Sequence, residues 1–396
     1  MRDLDEHVAH ALSLVAPLAP VTVPLAQAWG TVAAVDHVAV SASPVFDNSA
    51  MDGYAVRAAE VAQARDGAPV TMPVTGETAA GGAPGVLAPG GAWRIMTGAP
   101  VPDGADAVVP VEMTDGGLET VAITAAVPQG RHVRLAGEDC AVGDVVVSAG
   151  AAMSATALAA LASVGVSHVA VVGAPRVALL TTGDELVEPG TALEPGQIPD
   201  SNGTLLSGLV REAGGVPVVL PRASDDPTGL RDALSGVDAD LIITTGGVSV
   251  GAYDVVKAAL SGGDVEFVKV AMQPGKPQGV GVLDGTPIVC LPGNPVSVLV
   301  SFAMIVRPML DRLAGRVTGE VTEHATVVDG WRSPEGRRQL MPVRWVEPGA
   351  VTPATAGGSG SHLVASLAQA QALADVPAHV EHVEAGTTVR IVRWSR

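Results

Sequence analysis

Pro287-Ile-Val-Cys-Leu-Pro-Gly-Asn-Pro-Val-Ser297 is the stretch that decides how this chain folds. Residues of strand composition run into a glycine turn, Asn294 can cap a helix, and Pro295 suits the first helical position. A strand passing through a short turn into a helix is half of an α/β unit. Backbone N–H groups at such a helix start favour an anion. Many such turns bind nothing, so the motif alone speaks for the fold and not for a ligand.

Outward from this turn the alternation repeats, from Arg176 to about Gly315. Val177–Thr181, Val216–Leu220, Leu241–Thr245, Val265–Val270 and Pro287–Leu291 read as strands. Leu205–Glu212, Thr228–Leu234, Val255–Leu260 and Pro295–Leu313 read as helices. That order predicts a mostly parallel sheet with ligands at the carboxyl ends of its strands. Leu4–Val15 carries apolar residues at helical spacing and ends at Pro17, a short amphipathic helix. From about Ser41 to Asp139, short alternating runs such as Ala92–Met96 and Ala107–Val111 sit between Gly/Pro clusters and predict a small β domain. Ser154–Val164 returns to an alanine-rich helix, so the β domain reads as an insertion. Beyond Val317, the alternating segments Arg338–Val346 and Thr387–Trp394 predict a C-terminal β domain or barrel. The expected division is 1–40 with 140–172, 41–139, 173–315 and 316–396.

Composition narrows the function. A length of 396 residues suggests three or four domains. A net charge of −18 argues against sequence-independent nucleic-acid binding and against adhesion to an acidic membrane. Any anionic ligand must be captured by local donors against that field. Two cysteines, Cys140 and Cys290, read as reduced residues of a cytoplasmic protein. The acidic N-terminus lacks a signal-peptide plan, and the longest apolar run, Val296–Val306, is too short to span a bilayer.

Several loops carry chemistry. Ser43-Pro-Val-Phe-Asp-Asn-Ser-Ala-Met-Asp-Gly-Tyr-Ala55 is dense in turn formers, although Asp-Gly is first of all a turn. Gly246-Gly-Val-Ser-Val-Gly251 follows a strand, its glycines permit backbone approach to a phosphate, and Ser249 is a possible donor. Gly247–Gly251 also fits the G-x-S-x-G elbow, with His324 or His362 as base, but an elbow serine leads directly into its helix and here Asp254 caps five residues later. Acidic residues recur at strand ends: Asp184, Glu185, Asp225, Asp226 and Asp254 suit a hard cation such as Mg²⁺, with capping the competing role for Asp226 and Asp254. All three lysines, Lys257, Lys269 and Lys276, fall within one twenty-residue window among twenty arginines, which suggests that a compact ammonium matters there. Gln273-Pro-Gly-Lys-Pro277 is no Walker loop, His379-Val-Glu-His-Val-Glu384 fits no zinc motif, and no G-x-G-x-x-G opens a helix.

Together with Met96-Thr-Gly-Ala-Pro100, Gly137-Glu-Asp139 and Thr182-Gly-Asp-Glu-Leu186, these motifs run in one order that resembles the molybdopterin molybdenumtransferases, the MoeA and gephyrin E-domain family, from about Leu4 to Arg396. The resemblance implies an α/β domain similar to the molybdopterin adenylyltransferases, an inserted β domain, an elongated helical/mixed domain and a C-terminal β-barrel-like domain. It implies insertion of molybdate into adenylylated molybdopterin with release of AMP, dependent on Mg²⁺, by a homodimer that can receive its substrate from a molybdopterin adenylyltransferase. Asp52, Thr97 and Asp139 would act from the partner subunit, with Glu185, Asp225 and Asp254 on the α/β domain. Gly183, Asp184, Gly246, Gly247, Ser249, Lys269, Lys276, Pro292, Gly293, Asn294, Pro295, Arg338 and Ser361 would bind substrate, and Glu185, Asp225, Asp226 and Asp254 would hold metal. Gln273 and Gln339 depart from the lysine and glutamate usual in that family. Adenylyl transfer to molybdopterin and a non-catalytic, gephyrin-like scaffold are the alternatives.

Overall fold

A computed structural model describes residues 1–223, 226–248, 255–263, 265–316, 323–355 and 364–394. Its α/β unit is a six-stranded sheet in the order Val216–Val219, Arg176–Thr181, Leu241–Thr245, Thr286–Leu291, Pro277–Leu283, Val265–Lys269. The first four strands are parallel, Pro277–Leu283 runs antiparallel to them, and Val265–Lys269 pairs antiparallel with Pro277–Leu283. Side chains alternate between two cores: Val177 and Leu179 face one, Ala178 and Leu180 the other. Helices Asn202–Glu212 and Pro295–Ser301 cover the first face; Pro227–Leu234 and Val255–Leu260 cover the second.

Sequence reading missed the strand Pro277–Leu283, because Pro277, Gly279 and Gly281 dilute its strand signal. The glycine at 279 has a packing cause. A Cβ there would lie 2.7 Å from the Phe267 ring and 2.9 Å from Cys290 Cβ.

The N-terminal helix Leu4–Ser13 is capped by Asp3 and buries Leu4, His7 and Ala11. It packs on the α/β unit through Val8, Ala11 and Leu12, with Val15 just beyond it, rather than joining the segment that follows it. That next segment, Pro20–Pro24, pairs with His168–Val172, and His37–Val38 pairs with Val145–Val147. The inserted β domain leaves and returns at one hinge, where Ser43 N–H donates to the Cys140 carbonyl at 2.8 Å. Its five-stranded sheet runs Ala107–Pro110, Gly53–Val56, Ala92–Ile95, Val70–Thr78, Thr120–Ile123 over a core including Tyr54 and Ile123.

Arg338–Glu347, Ala350–Pro353, Glu323–Val327, Thr388–Val392 and Ala372–Val376 close into a barrel, since the first also pairs with the last. Met272–Gln273 adds in parallel beside Arg338–Gln339, joining the barrel to a loop of the α/β unit. Among the described residues no helix is long and apolar enough to cross a membrane.

Candidate active site

The carboxyl ends of the parallel strands open onto a cavity of about 650 Å³. Thr182–Gly183, Gly246–Gly247 and Pro292–Pro295 line it, each just beyond a strand, together with Gln273–Pro277 and Arg337. Glycine is required where these turns meet. A Cβ on Gly246 would fall 2.7 Å from the Thr182 carbonyl, and one on Gly247, at φ +61, would fall 2.8 Å from the Val256 backbone nitrogen. Backbone, not side chain, therefore forms the floor.

Asn294 occupies the N-cap position of Pro295–Ser301, and its carbonyl accepts from Val298 N–H at 3.0 Å. Asn202 ties this turn to the neighbouring helix by donating from Nδ2 to the Gly293 carbonyl at 2.7 Å. Asp200 accepts from Thr181 Oγ1 at 2.7 Å and from Gly203 N–H at 3.1 Å. Sequence reading missed Asp200, Ser201 and Asn202 as cavity residues; an Asp-Ser-Asn run ahead of a helix signals a cap, and the cavity belongs to tertiary structure.

The cationic lining, among the described residues, is Lys276 and Arg337. Two expectations change here. Arg338 does not line the cavity: it grips Asp375 through two bonds of 2.7 and 2.6 Å and reaches Asp5 at 2.8 Å. Those carboxylates hold its pKa above the ordinary arginine value, the Asp375 hydrogen bonds first. The cation facing the cavity is its neighbour Arg337, whose Nη1 donates to Gln273 Oε1 at 2.5 Å. Lys269 is also outside the lining; it ends the edge strand, exposed, with its carbonyl accepting from Arg2 N–H. Lys257 is exposed on its helix.

Glu185 lines the cavity, its carboxylate folded so close to Gly183 that a Cβ there would sit 2.5 Å from Oε2. Asp184 is exposed outside the lining. Asp226 is a helix cap: its two oxygens accept from Thr228 and Gly229 N–H at 3.3 and 2.9 Å. Asp225, Ser249, Asp254, Ser361 and His362 lie outside the described residues. Among those described, no three His, Cys, Asp or Glu gather as a metal cluster. His324, the other base considered for the elbow, is exposed on the first barrel strand.

Both glutamines that depart from the family pattern have partners. Gln273 holds Arg337, where a lysine would repel it. Gln339 is buried in the barrel and accepts from Trp331 Nε1 at 2.8 Å.

Asp52, Thr97 and Asp139 lie on the inserted domain and do not line the cavity. Their loops are knitted together. Asp52 Oδ1 accepts from Thr97 N–H at 2.6 Å and from Oγ1 at 2.7 Å, which holds the Asp52 carboxyl below the usual range. Gly98 N–H donates to the Ser49 carbonyl, and Asp139 N–H to that of Ser43.

Comparison with known proteins covers every part of this arrangement. Residues 2–165 match the MoeA N-terminal region (domain I and II), 178–312 the probable molybdopterin binding domain, and 324–394 the MoeA C-terminal region (domain IV). The chain is 46% identical over 403 residues to molybdopterin molybdenumtransferase 2 of Mycobacterium tuberculosis, spanning 99% of each. It is 35% identical over 379 residues to the molybdopterin molybdenumtransferase of Haemophilus influenzae, 93% of this chain and 92% of that one. A solved structure, the molybdopterin biosynthesis moea protein from Pyrococcus horikosii, superposes over 100% of both chains with a TM-score of 0.86 at 32% identity. With all three regions matched in order and relatives aligned end to end, the chain belongs to the molybdopterin molybdenumtransferases, a transferase family of molybdenum cofactor biosynthesis.

Proposed function

We propose that this chain inserts molybdenum from molybdate into the dithiolene of adenylylated molybdopterin and releases AMP. The observation that carries this reading is a single cavity bringing together glycine turns at strand ends, the cations Lys276 and Arg337, and the carboxylate of Glu185. Glycine turns present N–H groups to phosphate oxygens. An ammonium and a guanidinium lining one cavity suit a tetrahedral dianion such as molybdate, which the net charge of the chain would otherwise repel.

Magnesium fits the donor set. Glu185 lines the cavity, and among the described residues nothing hydrogen-bonds its carboxylate; Mg²⁺ is commonly held by one or two carboxylates plus substrate phosphates. When bound there, it would neutralise charge on the phosphoanhydride. Glu185 anchors that charge, while Lys276 and Arg337 orient the oxyanion.

The active enzyme is a homodimer in this reading, with Asp52, Thr97 and Asp139 brought over the cavity by the partner. Its support is an apolar surface at the hinge of the inserted domain, where Val38, Val40, Val45, Phe46, Leu135, Val142 and Val145 are all exposed. The two unpaired cysteines suit a cytoplasmic enzyme. A molybdopterin adenylyltransferase would supply the substrate. Mixing Asp52→Ala with Glu185→Ala subunits tests the arrangement. Heterodimers with one intact composite site should regain part of the activity, and full turnover by a strictly monomeric species would overturn it.

A further inference from the structure

Gln278 is buried to 1% exposure beneath the Gln273–Pro277 turn, and it does not line the cavity. Its Nε2 donates to the Gly275 carbonyl at 2.6 Å and to Ser301 Oγ at 2.7 Å. Its Oε1 is buried with no partner among the described residues. A buried carbonyl left unsatisfied destabilises by about 1–3 kcal/mol, a cost carried here alongside the two bonds that Nε2 makes. The amide therefore has a use other than packing.

That use follows from peptide geometry. Gly275–Lys276 is a trans peptide, with its carbonyl and N–H pointing in opposite directions. Gln278 holds the Gly275 oxygen on the buried side, which turns Lys276 N–H toward the cavity. Were this peptide to flip, the carbonyl would face the anion and repel it. Gly275 makes a flip accessible, because at φ +102 it sits in a region only glycine occupies readily. Ser301, on the helix behind, fixes the amide from the other side.

We propose that Gln278, backed by Ser301, is a positioning residue that locks the Gly275–Lys276 peptide with its N–H toward the oxyanion. The inference rests on the molybdate reading of this cavity. Gln278→Met keeps the length and removes both hydrogen bonds; Gln278→Glu keeps the shape and replaces the donor with an acceptor. Both should raise the half-saturating molybdate concentration about tenfold, the loss of one charge-assisted hydrogen bond, with turnover at saturation kept. Gln278→Met should melt somewhat lower, because the buried Gly275 carbonyl and Ser301 hydroxyl lose their donor; turnover kept at saturating molybdate separates positioning from loss of structure. Unchanged molybdate dependence in Gln278→Met would overturn the proposal. Failure of the wild-type protein to bind inorganic molybdate would instead sink the proposed function. In that event a crystal structure of Gln278→Met still decides: the Gly275 carbonyl turned away supports the lock, and the peptide unmoved overturns it.

Discussion

His7 should make this protein acid-sensitive in a way that one substitution removes. Its ring lies fully buried on the inner face of the N-terminal helix, and among the described residues neither nitrogen has a partner. Burial, then Arg2 and His10, lower its pKa from 6.5 to about 4, against a small opposing pull from Glu266. The folded value is thus below the unfolded one, and the unfolded chain binds more protons between them. The stability contribution is fully present above pH 6.5 and is lost as pH falls toward 4. At about 1.36 kcal/mol per unit, the loss reaches about 3 kcal/mol by pH 4. For a cooperative unit of 150–250 residues, that corresponds to about 6–12 °C in Tm. The sensitive quantity is a double difference: Tm of wild type minus Tm of His7→Leu, measured at pH 7.5 and again near pH 4.5. Leucine carries no proton and no orphan nitrogen, so the variant should match or exceed the wild type at neutral pH. The gap between them should widen in acid. Parallel pH curves for the two proteins would refute the reasoning.

Other substitutions separate the adjacent arginines and the carboxylates. Arg338→Met should destabilise by about 1–3 kcal/mol in denaturant titrations, because buried Asp375 loses both of its Arg338 hydrogen bonds and keeps only Arg390, 3.8 Å away. Arg337→Ala and Lys276→Ala should leave stability within about 1 kcal/mol and raise the half-saturating molybdate concentration, since both cations line the cavity. Glu185→Gln should abolish AMP release with an unchanged melt, while Asp226→Ala should lose about 1 kcal/mol of stability and keep turnover, as befits a cap.

Much of this architecture is legible in the sequence because its signals are local. The run from Thr286 through Leu291 into Pro295–Ser301 carries its own turn and cap chemistry, and Val177–Leu180 is apolar on both sides as a doubly covered strand must be. What escaped depends on register and on distant partners. A pair of arginines at a strand start cannot be phased without its neighbours: Leu340 pairs with Asp375, and that alignment commits Arg338 to the barrel and leaves Arg337 for the cavity. Lys269 shares a sequence window with Lys276, yet Lys269 ends the edge strand and Lys276 sits in the cavity turn. Asp200 and Asn202 reach the cavity only because their helix packs beside Gly293. Gln278 is indistinguishable in sequence from an exposed strand residue, and its function exists only beneath the folded turn.

One reaction decides whether this chain carries molybdenum to the pterin. Purified protein is given adenylylated molybdopterin, Mg²⁺ and molybdate, and AMP and pterin-bound molybdenum are measured in the same samples. The proposed function predicts that AMP appears in step with molybdenum incorporation, one for one, and that omitting molybdate stops molybdenum loading. AMP released with no molybdenum entering the pterin, or no AMP released at all, would contradict it.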